Sequence, residues 1–214
     1  MPKLKVIVVP VTPFQQNCSL IFNEETLQGA VIDPGGDIQK ILKAIEQAAV
    51  KVEKILLTHG HIDHAGGASE LRDLLGVKIE GPHPGDLFLL KDLPNNGERF
   101  GIRGARSFEP DRWLDEGDEV EVAEMKFSIH HAPGHSPGSV VFFNSENRFA
   151  LMGDVLFQNS IGRTDFPYGS EKTLLTSIRE KILPLGDDVV FLPGHGSASQ
   201  IGVERKNNPF LQKI

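Results

Sequence analysis

The chain is poor in cysteine. Cys18 stands alone in 214 residues, so no internal disulfide can form and a reducing compartment is expected. It also lacks any apolar run near the roughly 20 residues of a membrane span. The start, Met1-Pro2-Lys3-Leu4-Lys5-Val6, has no apolar stretch of the kind that opens a secretory leader. A cytoplasmic protein with no membrane partner is expected. Basic residues are in deficit, 22 against 29 acidic for a formal charge of −7, and a nucleic-acid partner would ask for the opposite balance. What remains is a chain with enough apolar residues for a sizeable core, read as a single domain over 1–214.

Apolar patterning orders the chain. Strands are expected over 3–11, 18–22 and 29–33. Asp37 would cap a helix carrying Ile38, Ile41, Leu42, Ile45 and Ala49 at helical spacing. Lys54 to Leu57 reads as a buried strand and Ala65 to Leu75 as a helix. Pro82 to Phe108 is the least periodic part, a surface excursion with a helix candidate near Asp86 to Leu90. Strands return over 119–122, 126–131, 139–143, 149–152 and 188–192. Helices fit 171–182, with Leu174, Leu175, Ile178 and Ile182 on one face, and 201–206. Such mixed runs suit sheets covered by helices in one compact domain.

Chemistry concentrates in Thr58-His59-Gly60-His61-Ile62-Asp63-His64, which lies between the buried strand and the helix. Imidazoles suit zinc, iron and copper, and a carboxylate adds compensating charge. Neighbouring side chains at a turn diverge, so the four donors divide more naturally between two ions than they converge on one. Three later segments repeat one grammar of apolar strand, glycine and donor: Ile129 to Gly134-His135, Phe149 to Gly153-Asp154, and Val189 to Gly194-His195. Singly, each is an ordinary strand-end turn. Together they give His59, His61, Asp63, His64, His135, Asp154 and His195, a set that matches two ions sharing one bridging carboxylate. His83, His130 and His131 lack this grammar and are expected at the surface or behind the donors.

The His-x-His-x-Asp-His pattern, with Val31-Ile32-Asp33-Pro34-Gly35 before it and Asn208-Pro209-Phe210 at the end, resembles the metallo-β-lactamase fold superfamily. Gly153-Asp154-Val155-Leu156-Phe157 and Ile161-Gly162-Arg163-Thr164-Asp165-Phe166 are similar, more narrowly, to the small glyoxalase II-like hydrolases, the hydroxyacylglutathione hydrolases. The resemblance implies an α+β fold, an αββα sandwich of two mixed β-sheets flanked by helices, with the site at one edge. It implies that His59, His61 and His135 hold a first metal, that Asp63, His64 and His195 hold a second, and that Asp154 bridges them. The ions would be divalent: zinc, with iron or manganese as the other candidates. The implied reaction is metal-assisted hydrolysis of a small-molecule thioester such as S-D-lactoylglutathione, with Asp63 and Asp154 as the catalytic carboxylates.

The chain departs from full-length glyoxalase II. The helical C-terminal domain that supplies basic residues to glutathione has no counterpart in the short segment after His195. Ser197 stands where an aromatic residue is common, and Asp165 where a tyrosine is expected. Substrate contacts are expected instead from Asn159, Ser160 and Arg163, close in sequence to Asp154, with Arg163 forking onto a carboxylate. Tyr168, the one tyrosine, is expected to pack in the core, with a place at the pocket rim as the alternative. The main rival is a persulfide dioxygenase, which resembles this pattern too and would hold one iron through His59, His135 and Asp154. A β-lactamase is disfavoured by Asp154 in place of a late cysteine ligand, a nuclease by the acidic charge, and a structural zinc module by the shortage of cysteine.

Overall fold

The computed structural model describes residues 3–213. Met1, Pro2 and Ile214 lie outside it, and with the first two the start of the segment read above for a leader. The chain opens with three strands, β1 (Leu4–Val11), β2 (Gln16–Asn23) and β3 (Gln28–Ile32), followed by α1 (Ile38–Ala48) and β4 (Lys51–Leu56). Two short helices, α2 (Ile62–Ala65) and α3 (Ala68–Leu75), lead to β5 (Lys78–Glu80). These strands form one sheet in the order β1-β2-β3-β4-β5, antiparallel through β3 and parallel beyond it. After α4 (Leu87–Lys91) and α5 (Leu93–Phe100) come β6 (Glu119–Val122), β7 (Met125–His131), β8 (Val140–Asn144), β9 (Phe149–Gly153) and the hairpin β10 (Leu156–Phe157) with β11 (Ser160–Ile161). Then follow α6 (Glu171–Ser177), β12 (Val190–Pro193), β13 (Ser199–Gln200) and α7 (Ile201–Asn207). The second sheet runs β13-β12-β9-β8-β7-β6, with β12 parallel to β9 and the other pairs antiparallel.

Burial shows why these segments take these places. β6 and β7 alternate buried and exposed residues, Val120 and Val122 inward against Glu119 and Glu121 outward, as half-covered strands do. β8 and β9 read as unbroken apolar runs because both faces are covered. Between the sheets, Ile21, Ile32 and Leu56 pack with Phe127, Phe142 and Leu151. On the outer face of the first sheet lie Ile38, Ile41 and Leu71 of the helices, and on that of the second lie Leu174, Ile178 and Ile201. The result is an αββα sandwich of two mixed sheets, and none of its described helices is long and apolar enough to cross a membrane.

Several expectations change. Asp37 does not cap α1 through its side chain; its carboxylate instead takes Thr12 N–H (3.1 Å) and Lys40 Nζ (2.6 Å). The helix expected over 65–75 splits at Gly66-Gly67 into α2 and α3. The helix over 171–182 is α-helical only to Ser177 and widens into a π-turn over Ile178–Ile182. The excursion after Pro82 is largely helical, since its Pro and Gly concealed α5. Pro94 sits in the first turn, where its missing N–H costs nothing. Gly97 lies where a Cβ would stand 2.8 Å from Ile102 O and 2.9 Å from the Ala105 Cβ.

Candidate metal centre

Four strand ends from the two sheets converge on one edge of the sandwich. His59 follows β4, His135 follows β7, Asp154 follows β9 and His195 follows β12, while α2 carries Asp63 and His64. The glycine before His195 has a further reason beyond the turn. A side chain at Gly194 would drive into the Asp154 carboxylate and come within 2.6 Å of His64 Cε1, so only hydrogen fits.

Donor atoms fall into overlapping groups, each within 4.8 Å: His59, His61 and His135; Asp63, His64 and His195; and His59, His64 and Asp154. Asp154 Oδ1 lies 3.4 Å from His64 Nε2, and its Oδ2 lies 3.6 Å from His135 Nε2 and 3.7 Å from His195 Nε2. Asp63 Oδ2 lies 3.1 Å from His195 Nε2. All seven donors named from the sequence are thus brought together. His83 and His131 stand elsewhere, stacked on each other at 3.8 Å, and His130 contacts Ser128.

Hydrogen bonds behind the rings decide which nitrogens face inward. His135 Nδ1 donates to Arg163 O (2.8 Å), and His195 Nδ1 to Phe14 O (3.3 Å). His64 Nδ1 donates to Asp33 Oδ2 (2.9 Å). Thr58 Oγ1 gives its own proton to Asp33 (2.6 Å) and so accepts from His59 Nδ1 (3.1 Å). Each of these four rings therefore turns an Nε2 lone pair into the centre. His59 Nε2 and His135 Nε2 face each other at 3.2 Å, and His61 Nδ1 lies 2.9 Å from His135 Nε2. The His59 and His135 lone pairs, so close, repel unless a cation lies between them. His64 Nε2 and Asp154 Oδ1 are also buried without a hydrogen-bond partner. The residues fit metal ions.

Titration behaviour agrees. Burial, reinforced by His64, His61 and His135, keeps His59 far below the ordinary imidazole value. Burial and His135 pull His61 down to about 3. Burial also acts to lower His64, but the Asp154 and Asp63 carboxylates outweigh it and lift that imidazole well above its usual value. Burial would raise Asp154, yet His64, His135 and His195 hold it well below the carboxylate range. The two carboxylates thus stabilise positive charge at this point, supplied by a proton on His64 or by a metal.

Two acids behind the centre were not singled out from the sequence as site residues. Asp33 ties Thr58 and His64 together. Asp86, fully buried, accepts from Gly60 N (2.8 Å), Ser136 Oγ (2.8 Å) and Gly138 N (2.5 Å) and so joins the loops that carry His59, His61 and His135. Asp33 had a signal in its Asp-Pro-Gly turn. Asp86 had none, because its partners are two backbone amides and a serine far away in sequence.

A cavity of about 820 Å³ opens over the centre. His61, Asp63, His135, Asp154 and His195 form its floor, and Phe14, Phe88, Phe100, Phe157 and Phe166 its apolar walls. Arg163 lies on its edge, over the Phe166 ring at 4.6 Å and forked onto Asp165 at 3.0 and 2.7 Å. Asn159 and Ser160 do not reach the wall. Glu204 binds Asn159 N–H, and Asn208 Nδ2 binds Ser160 O, which ties the hairpin turn to α7 and leaves Phe157 and Arg163 facing the cavity. Tyr168 is not a core residue: it is 77 % exposed at the rim, its ring 5.1 Å from Phe88. Flanked by Pro167 and Gly169, it lies between β11 and α6 in no strand or helix that would carry it inward.

Comparison with known proteins supplies a family. Residues 11–195 match the model of the metallo-beta-lactamase superfamily. A hydroxyacylglutathione hydrolase, GloC, of Haemophilus influenzae is 46 % identical over 209 residues, covering 97 % of this chain and 98 % of that protein. Among solved structures, the BLEG-1 B3 metallo-beta-lactamase superposes with a TM-score of 0.88 at 35 % identity, covering 97 % of this chain and 99 % of its own. TTHA1623, solved in a di-iron-bound form, gives 0.86 at 33 % identity, covering 96 % and 100 %.

Proposed function

The chain belongs to the metallo-beta-lactamase superfamily and is a metal-dependent hydrolase, and from that premise we propose that it uses two divalent ions to cleave thioesters of the hydroxyacylglutathione class, such as S-D-lactoylglutathione. The observation that carries this reading is the meeting of two donor trios, His59/His61/His135 and Asp63/His64/His195, at the Asp154 carboxylate. His59, His61 and His135 would hold one ion, Asp63, His64 and His195 the other, and Asp154 both. Zinc is the proposed metal, with iron or manganese able to use the same donors. When bound, such ions polarise a carbonyl and lower the pKa of a water to about 7.

The chain's own groups do the rest. Asp63 lines the cavity floor beside His195, placed to orient an attacking water and take its proton. The apolar walls exclude bulk water from the acyl group. Arg163, on the edge, is proposed to bind a substrate carboxylate by exchanging its contact with Asp165. A thiolate leaves without a strong general acid, since its conjugate acid has a pKa of about 8.5, and the cavity floor supplies only metal donors. That combination favours thioesters over amides.

The test is metal content together with turnover. Gently loaded protein should hold close to two ions and release glutathione from S-D-lactoylglutathione equally well in air and without oxygen. One iron per chain, with oxygen consumed on glutathione persulfide, would replace this reading by the mononuclear dioxygenase of His59, His135 and Asp154.

A further inference from the structure

The helix α5 contributes to the cavity wall, and one face of it is polar in an unusual way. Asp92, just before the helix, and Asn96 and Arg99 within it all line the cavity. Their spacing of four and three residues places them in one row, while Leu93 and Gly97 turn into the core. The Asp92 carboxylate is held by the carboxamides of Asn95 (2.6 Å) and Asn96 (2.8 Å), which are neutral, and no cation pairs with it among the described residues. Arg99 lies 5.2 Å from the Phe100 ring centre and pairs with no carboxylate among the described residues. Arg163, which also lines the cavity, is by contrast already forked onto Asp165.

One negative and one positive group therefore face the same cavity without neutralising each other. Seven residues of helix separate their backbones by roughly 10 Å. The long arginine side chain spans part of this distance, and the rest suits a small head group carrying both charges. We propose that this face binds an amino-acid zwitterion on the thiol carrier: Arg99 takes the α-carboxylate, Asp92 the α-ammonium, and Asn96 orients the Asp92 carboxylate between them. The inference rests on the thioester-hydrolase reading and adds the end of the carrier that is recognised. Glutathione has such a head group at its γ-glutamyl end, which leaves its glycine carboxylate for Arg163.

The experiment compares three lactoyl thioesters on metal-loaded enzyme: that of glutathione, that of N-acetylglutathione, which lacks the ammonium, and that of N-acetylcysteamine, which lacks both charges. Arg99→Ala should raise KM for the glutathione thioester about tenfold to a hundredfold, the range expected for a lost charge-assisted contact, with kcat little changed. It should narrow the preference over the N-acetylcysteamine thioester by the same factor. Asp92→Asn should penalise the glutathione thioester and spare its N-acetyl counterpart. Glu98→Ala, on the same helix but outside this cavity's lining, controls for helix integrity. Calorimetric titration with glutathione, which needs no turnover, should show the same weakening for Arg99→Ala and Asp92→Asn. Unchanged KM and unchanged glutathione binding in both variants would overturn the inference and leave the hydrolase reading standing. Equal losses on all three substrates would also overturn it, by making α5 a mere support. Failure of the unmodified enzyme to cleave any of the thioesters would instead overturn the hydrolase reading.

Discussion

Asp154 and Asp63 are both carboxylates at the centre, yet their positions differ. Asp154 reaches His64 through one oxygen and His135 and His195 through the other, whereas the nearest contact of Asp63 is His195. Removing Asp154 on the proposed reading leaves two cations facing each other with less compensating charge. Asp154→Ala should therefore lose more than the ten- to hundredfold in activity typical of an outer-layer change, exceed the loss in Asp63→Ala, and lower metal content at both positions. Elemental analysis and kcat of the two variants side by side check this. Near-normal turnover with two metals in Asp154→Ala would refute the bridge.

At the scale of elements, the centre depends on loops from different parts of the sandwich holding one relative position. Asp86, between Pro84 and α4, ties the loop after β4 to the loop after β7 through three hydrogen bonds. Burial pushes its carboxyl upward in pKa, partly offset by bonds from Gly60, Ser136 and Gly138. Asp86→Ala strands these donors in the interior, at about 1–3 kcal/mol for each left unpaired. Urea unfolding should register a loss of about 2–5 kcal/mol, and metal affinity should drop about ten- to a hundredfold because His61 and His135 lose their common anchor. Unchanged metal affinity in a stably folded variant would show that the loops hold themselves.

For the whole molecule, metals that bind only the folded state add stability by mass action. Each ion at a hundredfold excess over its dissociation constant contributes about 2.7 kcal/mol, and a chain of this size shifts its melting temperature by about 2–4 °C per kcal/mol. Chelation should thus lower Tm by roughly 10–20 °C for two ions and re-addition should restore it. A chelator-insensitive Tm would mean that the inward lone pairs of His59 and His135, 3.2 Å apart, hold no cation.

The donor positions and most of the buried strands were legible in the order of residues because both leave local marks, whereas the αββα sandwich was implied by the resemblance to a family. A strand end followed by Gly and His is contiguous, and alternation or unbroken apolar runs state whether one face or two is buried, as in β6 against β8. The helix α5 was not legible, since Pro94 and Gly97 look like loop residues until Ile102 and Ala105 are seen against them. Nor were Asp86 or the turning away of Asn159 and Ser160. Each of these follows from partners 26 or more residues distant, or from the path of a turn, and such contacts leave no periodic trace in the chain. The sequence by itself thus determined which atoms could bind metal and which segments had to be buried. Only the tertiary structure decided which nitrogen of each ring faces the centre, and which walls a substrate meets, because both depend on acceptors and side chains brought in from remote parts of the fold.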